Sequence, residues 1–216
     1  MASSGTYSLN PDIGDFISEA FERCGIDPAT LGARHMKSAR MSLNLLFSEW
    51  ASLGSHLFAV DEQTQTVTDG TASYTAAAGT LVILDAVIRR DGIDTGLDRI
   101  SREAYHAIPD KTAEGMPSQI YHDRKAGTYY LWQTPENSTD VLRYNRLRRI
   151  QDVSTSAETA DVPYQWFEAL VSGLAAKLAL KFAPDQVTSL DGFASRSFLI
   201  AKREDRERAD TGFSLA

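Results

Sequence analysis

Four histidines, a single cysteine, scattered acidic side chains and one run of arginines are the groups through which this chain could act on another molecule. His35, His56, His106 and His122 lie far apart, and none has a second histidine or a carboxylate at metal-ligand spacing on a helix face. Each therefore reads as a surface or hydrogen-bonded histidine rather than a metal ligand or a base. Tyr121-His122-Asp123 is the densest titratable cluster, but neighbours on a strand point to opposite faces, which leaves Asp123 poorly placed to orient His122. Asp91, Asp94 and Asp98 around Gly92 and Gly96 suggest calcium. Their spacing does not fit an EF-hand loop, whereas Asp-Gly is ordinary hairpin chemistry. Asn137-Ser138-Thr139 matches a glycosylation acceptor and, in a chain with no secretory signal, reads as turn composition. Nucleophile-elbow, phosphate-loop, dinucleotide-fingerprint and H-E-x-x-H signatures are missing, and the 29 acidic residues name no catalytic pair. Cys24 alone allows neither an intramolecular disulfide nor a cysteine-based metal site, and points to a reducing compartment of synthesis. The reading is of a chain with no catalytic residues, no metal and no cofactor.

Arg143, Arg146, Arg148 and Arg149 are the one concentrated basic feature. On an extended strand Arg143 and Arg149 face one way and Arg146 and Arg148 the other, so the charge is divided between two faces. Phosphate contact is one use for them. Ion pairing with acidic neighbours, within the chain or across a subunit interface, is the favoured one.

The elements that must position these residues come from periodicity. Asn10-Pro11-Asp12 favours a helix start, with Pro11 suited to the first turn, and Ile13, Phe16, Ile17 and Ala20 then share a face until Gly25. Met36, Ala39, Leu43, Leu46, Phe47 and Trp50 predict a second helix running to Gly54. From Leu57 to Gln151 the period becomes two. Thr64–Thr68, Leu81–Arg89, Tyr129–Gln133 and Asp140–Arg148 are predicted antiparallel strands joined by hairpins, with a helical turn capped by Ser101 and a loop at Lys111–Pro117. Pro163 opens a third helix lined by Trp166, Phe167, Leu170, Leu174, Leu178 and Phe182, and Pro184 ends it. Asp185 starts a fourth through Val187, Leu190, Ala194, Leu199 and Ala201 into a charged run from Lys202.

Amphipathic stripes at both ends of the chain must find each other to leave water. The expected class is therefore α+β: a discontinuous α-helical bundle of two N-terminal and two C-terminal helices, with a small antiparallel β-domain inserted between the halves. The expected boundaries are a flexible arm over residues 1–9, a bundle over 10–55 and 160–209, the insert over 56–152 and a docking tail over 210–216. Hydrophobic residues at 43% and charged residues at 24% supply a real core. A net charge of −7 argues against a free-standing nucleic-acid binder. No apolar run is long enough to span a bilayer, so the chain reads as soluble.

Taken in order, several short stretches resemble one family. They are Glu22-Arg23-Cys24-Gly25-Ile26; Ala39-Arg40-Met41-Ser42-Leu43-Asn44-Leu45-Leu46 leading to Trp50 and Gly54; Gly70 with Tyr74; and Ile100-Ser101-Arg102-Glu103-Ala104-Tyr105. Gly115-Met116-Pro117 with Tyr121, Leu131-Trp132-Gln133-Thr134-Pro135, and Pro163-Tyr164-Gln165-Trp166-Phe167-Glu168-Ala169-Leu170 with Leu174-Ala175 complete the series. Together, from about Asn10 to Asp210, they resemble the head-to-tail adaptor proteins of short-tailed bacteriophages, the tail accessory or gatekeeper type. One departure is that the second proline often found after the position of Pro135 is replaced by Glu136-Asn137.

That resemblance implies a structural virion protein at the head–tail interface, without enzymatic activity. It implies a homo-oligomeric ring of twelve copies between the portal protein and the tail nozzle protein, through which double-stranded DNA passes without specific binding. Twelve copies at −7 each suit a wall that repels phosphate, with acidic side chains lining the channel and the arginine cluster away from it. The family's C-terminal region meets the portal. Here that assigns Arg203, Arg206, Phe213 and Leu215 to the contact, with Phe213 and Leu215 as anchors, although the balanced charges from Lys202 to Asp210 equally suit a solvated helix. Two alternatives stand beside this one: an adaptor with added peptidoglycan-hydrolase activity, and a DNA-contacting factor at genome exit.

Overall fold

The computed structural model describes residues 5–7, 9–54 and 56–205. Along them run five α-helices: α1 (Ile13–Arg23), α2 (Ala33–Ser52), α3 (Arg102–Ala107), α4 (Phe167–Phe182) and α5 (Val187–Glu204). Ten strands lie between α2 and α4: β1 (Val60–Thr66), β2 (Ser73–Thr75), β3 (Thr80–Arg90), β4 (Ile93–Gly96) and β5 (Asp98–Arg99), then β6 (Glu114–Gly115), β7 (Gln119–Asp123), β8 (Thr128–Trp132), β9 (Thr134–Pro135) and β10 (Val141–Arg148). The chain is thus mixed α+β, with two N-terminal and two C-terminal helices packed together and β-sheets between them in sequence. Two compact units result. One takes the described residues up to Phe58 and those from Ile150 onward; the other is Ala59–Arg149.

In the helical unit, α1 starts at an Asp12 N-cap: its carboxylate accepts the Asp15 N–H at 2.9 Å, and Asp15 accepts the Asp12 N–H in return. Pro11 therefore precedes the cap instead of sitting in the first turn, and the segment after the sheets closes over this end, with Glu158 and Ser156 carbonyls taking the Ile13 and Gly14 N–H groups. Gly25, at φ +73°, ends the helix: its N–H reaches the Glu22 carbonyl while that of Ile26 reaches Phe21. Helix α4 is the hub. Leu170, Leu174, Leu178, Ala175 and Ala179 are fully buried, and α1, α2 and α5 all pack on it. Each of those leucines contributes about 1.5–3 kcal/mol of burial. Close approach of α2 depends on Gly173, where a Cβ would fall 2.9 Å from Leu46 Cδ2. The wholly buried Trp166 ring meets Trp50, His56, Phe58 and Phe198 at centroid distances of 4.8–5.6 Å.

In the second unit, one sheet has the order β1-β10-β3-β4 and the other β2-β8-β7-β5, with β6 and β9 as a separate pair. The sheets share a core of Ile83, Ile88, Ile120, Tyr129, Leu131 and Leu142 among others. Along β10, Leu142, Tyr144 and Arg146 are buried while the residues between them are half-buried, the alternation that a one-sided strand requires.

Several sequence expectations change. The first strand begins at Val60, not Thr64, and pairs with the last strand, β10, in antiparallel register from Val60 opposite Leu147 to Thr66 opposite Val141. Only β3–β4 and β7–β8 are tight hairpins, and β5–β7 and β6–β9 are parallel pairs, so the picture of antiparallel strands all joined by hairpins is corrected. Local alternation fixes which residues lie in a strand but carries no information about pairing across eighty residues. Helix α2 begins three residues before Met36, where His35 Nδ1 accepts the Gly32 N–H at 3.1 Å and ties down the first turn. In α5, Leu199 is 54% exposed, and the packed stripe runs through Leu190, Ala194, Phe198 and Ala201. Five residues beyond Ala194, at 100° each, Leu199 is rotated away from that face.

Candidate interaction surfaces

Pairing of β1 with β10 sets Asp61 opposite Arg146, and this register decides what the arginine run does. Arg146 is 7% exposed: Nε and Nη2 donate to the two Asp61 oxygens at 2.6 and 3.1 Å, and Nη1 donates to the Ala78 carbonyl and Thr80 Oγ1 at 2.8 and 2.9 Å. Those hydrogen bonds hold the Asp61 carboxyl below its usual range, against the opposing effect of its burial. Arg148 adds a second charge 3.6 Å from the same carboxylate. Arg143, on the other face, donates from Nε to Glu62 at 3.0 Å. Arg149 is exposed, and its N–H bonds the Gly79 carbonyl. Arg143, Arg146 and Arg148 thus have acidic partners within their own chain.

A second cluster went unnoticed in the sequence. Arg90 clamps Asp140 with Nε at 3.0 Å and Nη2 at 2.7 Å, and donates to Glu136 from Nη1 at 2.8 Å. Asp140 is only 1% exposed, so this pair is structural. Asn137 next to it accepts the Thr139 and Asp140 N–H groups, both at 3.0 Å, and so makes the turn its type favours. Glu136 and Asn137 are thus the residues that tie this loop down.

The histidines divide into separate local roles. His35 caps α2, and the buried His56 donates from Nε2 to the Trp50 carbonyl at 2.9 Å. His106 is exposed on α3. Neither ring nitrogen of His122 has solvent or a hydrogen-bond partner among the described residues. Burial, then the nearby Arg124, push its pKa down. Asp123 does not orient it; its carboxylate accepts the Lys125 and Ala126 N–H groups in the β7–β8 turn. Asp91 and Gly92, at φ +50° and +82°, form the β3–β4 turn, and Asp94 is held by Arg89 with two 2.6 Å bonds. Among the described residues, no three His, Cys, Asp or Glu side chains converge as a metal ion requires.

His122 lies at a cleft of about 410 Å³ in the β unit. Val82, Ile83 and Ile120 contribute apolar lining, and Arg99, Arg102, Arg124 and Lys125 also line it. Sequence reading missed this group because its members are spread over 27 positions; the parallel β5–β7 pair brings them together.

On the helical unit, Arg203 is exposed near the end of α5, and Phe193, Leu199 and Ile200 are exposed along the same helix. Arg206, Phe213 and Leu215 lie outside the described residues. Arg23 joins α1 to α4 through a two-pronged pair with Glu168 at 2.6 and 2.9 Å, and also donates to Glu19 and Ser172. Among the described residues, no helix is long and apolar enough to cross a membrane.

No curated protein matches this chain. The family model described as SU10 adaptor protein matches residues 9–212, and that span takes in both units and nearly the whole sequence. A chain whose strongest charged groups are spent on holding its own sheets and helices is suited to a structural task, and by this match it belongs to the SU10 adaptor protein family, the structural adaptors of phages.

Proposed function

We propose that this chain is one subunit of a ring, twelve copies strong, seated between the portal protein and the tail nozzle of a short-tailed phage, where it forms a conduit and closure for packaged DNA. The family match over residues 9–212 carries the reading, since an adaptor exists to join partner virion proteins. Charge supports it. At −7 per copy, with Arg143, Arg146 and Arg148 neutralised from within, a ring of such subunits has little with which to hold a sliding duplex. In this reading acidic side chains line the channel, the arginine run does not, and the chain works without a cofactor or a catalytic step.

Docking to the portal is assigned to the chain's C-terminal end, with Arg203 and Arg206 as charged contacts and Phe213 and Leu215 as apolar anchors. A short segment with two large apolar side chains gains most by ordering on a partner's surface. Sizing the protein alone and mixed with purified portal rings tests the proposal. A stoichiometric complex is expected, and it is lost when residues 210–216 are deleted. Unchanged portal affinity in the deletion would overturn the anchor assignment. Virions assembled without the protein that still fasten tails and retain genomes would overturn the function.

A further inference from the structure

We infer that the β unit carries both halves of a head-to-tail contact between copies of this chain: the acidic tip of the β3–β4 hairpin of one copy seats in the basic cleft of the next. The inference rests on the ring reading above and names the surfaces that would build it.

The socket has an apolar lining with a charged rim. Arg99, Arg102, Arg124 and Lys125 face a single carboxylate, Asp123, and none of the four is in an ion pair among the described residues. Arg99 is steadied by its 2.8 Å bond from Nη1 to the Ile83 carbonyl. Asp123 is committed to its own turn. In a chain with a net charge of −7, four cations that share one carboxylate, Asp123, whose charge Arg102 already stabilises, leave an excess of positive charge around the cleft.

The plug has the opposite character. Ile93 is 70% exposed at the hairpin tip, beside an exposed Asp91 for which no hydrogen bond or ion pair occurs among the described residues. Around it Asp94, Glu136 and Asp140 answer Arg89 and Arg90, so carboxylates exceed guanidiniums by two once Asp91 is counted. An apolar side chain with an acidic collar matches an apolar lining with a basic rim.

The two halves cannot meet within one molecule. Val82 and Ile83, which line the cleft, lie near the start of β3, and Asp91 follows its end. Eight residues of strand hold Ile83 and Asp91 about 27 Å apart. A contact between different patches on identical subunits is heterologous, and it propagates from copy to copy until a rotation closes it into a ring.

Cysteine trapping in the full-length protein tests this. Ile93→Cys and Ser101→Cys place thiols at the exposed tip and at the exposed cleft rim. Under oxidation, a mixture of the two variants should give a crosslinked dimer that neither gives alone, and the double variant a ladder of multimers. Adding Arg102→Glu and Arg124→Glu should lower the yield about tenfold or more, and adding Asp91→Lys to the tip partner should restore it. If rings form on portal without the 93–101 crosslink, this inference is overturned while the ring reading survives. If no multimer forms with or without portal, both fall. If a 20-base-pair duplex at low salt occupies the cleft in the absence of any crosslink, the site is a phosphate site and the inference is overturned.

Discussion

Replacing Arg146 with alanine separates a structural arginine from an interface one. The side chain is 9% exposed and makes four hydrogen bonds, two of them to Asp61. Breaking a buried ion pair by removing one partner costs roughly 3–5 kcal/mol. Here the Asp61 side chain keeps 35% exposure, so water recovers part of that, and the expected loss is about 3 kcal/mol, near the lower end. Asp61→Asn keeps one acceptor but leaves the guanidinium charge buried, and should cost about 2 kcal/mol. The double variant should lose less than the sum, by about 1–2 kcal/mol. Urea unfolding at several protein concentrations measures the losses, and hydrogen exchange along β1, β3 and β10 shows whether they fall on that sheet. Because Arg146 lowers the Asp61 pKa in the folded chain, the carboxylate's contribution is complete above its unfolded value and is lost as pH falls through the folded one. Arg146→Ala should flatten that acid-side dependence. A wild-type-like midpoint, or a loss seen only in the assembled ring, would refute an in-chain role.

Three further outcomes are expected. Glu168→Gln should loosen α1 from α4 and weaken the dependence of the helical unit's stability on acid, since Arg23 holds the Glu168 carboxyl low and that stabilisation disappears as pH drops through the folded value; acid titration by circular dichroism reads it. Cys24 is buried with its thiol pKa raised by desolvation, so a thiol reagent at pH 8 should label the native chain on the order of a hundredfold more slowly than the urea-unfolded one. Trp166→Ala should cost about 3–5 kcal/mol in equilibrium unfolding, because the ring it removes touches four others and is fully buried.

Helices were the legible part of this sequence. Their caps and stripes are local, so Gly25, Trp50 and the Trp166–Phe182 run marked real features without help from distant residues. The β unit was legible as strands and not as sheets: β1 pairs with β10 across some eighty positions, and nothing near Val60 announces Leu147. Short elements fared worst. Strands of two or three residues such as β5 and β6 have no period to read, and it is β5 that helps assemble the basic cleft. For the arginine run, alternation on the strand yields two faces, and the in-chain partners of Arg143 and Arg146, Glu62 and Asp61, came only with the register.

Because the opening strand of the β unit lies beside its closing strand, Val60 and Leu147 sit as cross-strand neighbours, about 5 Å apart between their Cα atoms. The polypeptide therefore enters and leaves the β unit through what amounts to a single doorway. A graft at that doorway needs only a few linking residues, so the segment from 59 to 149 can be exchanged for another module while the helices keep their own connections. Modularity of this kind makes the β unit a part that can be replaced without rewiring the helices.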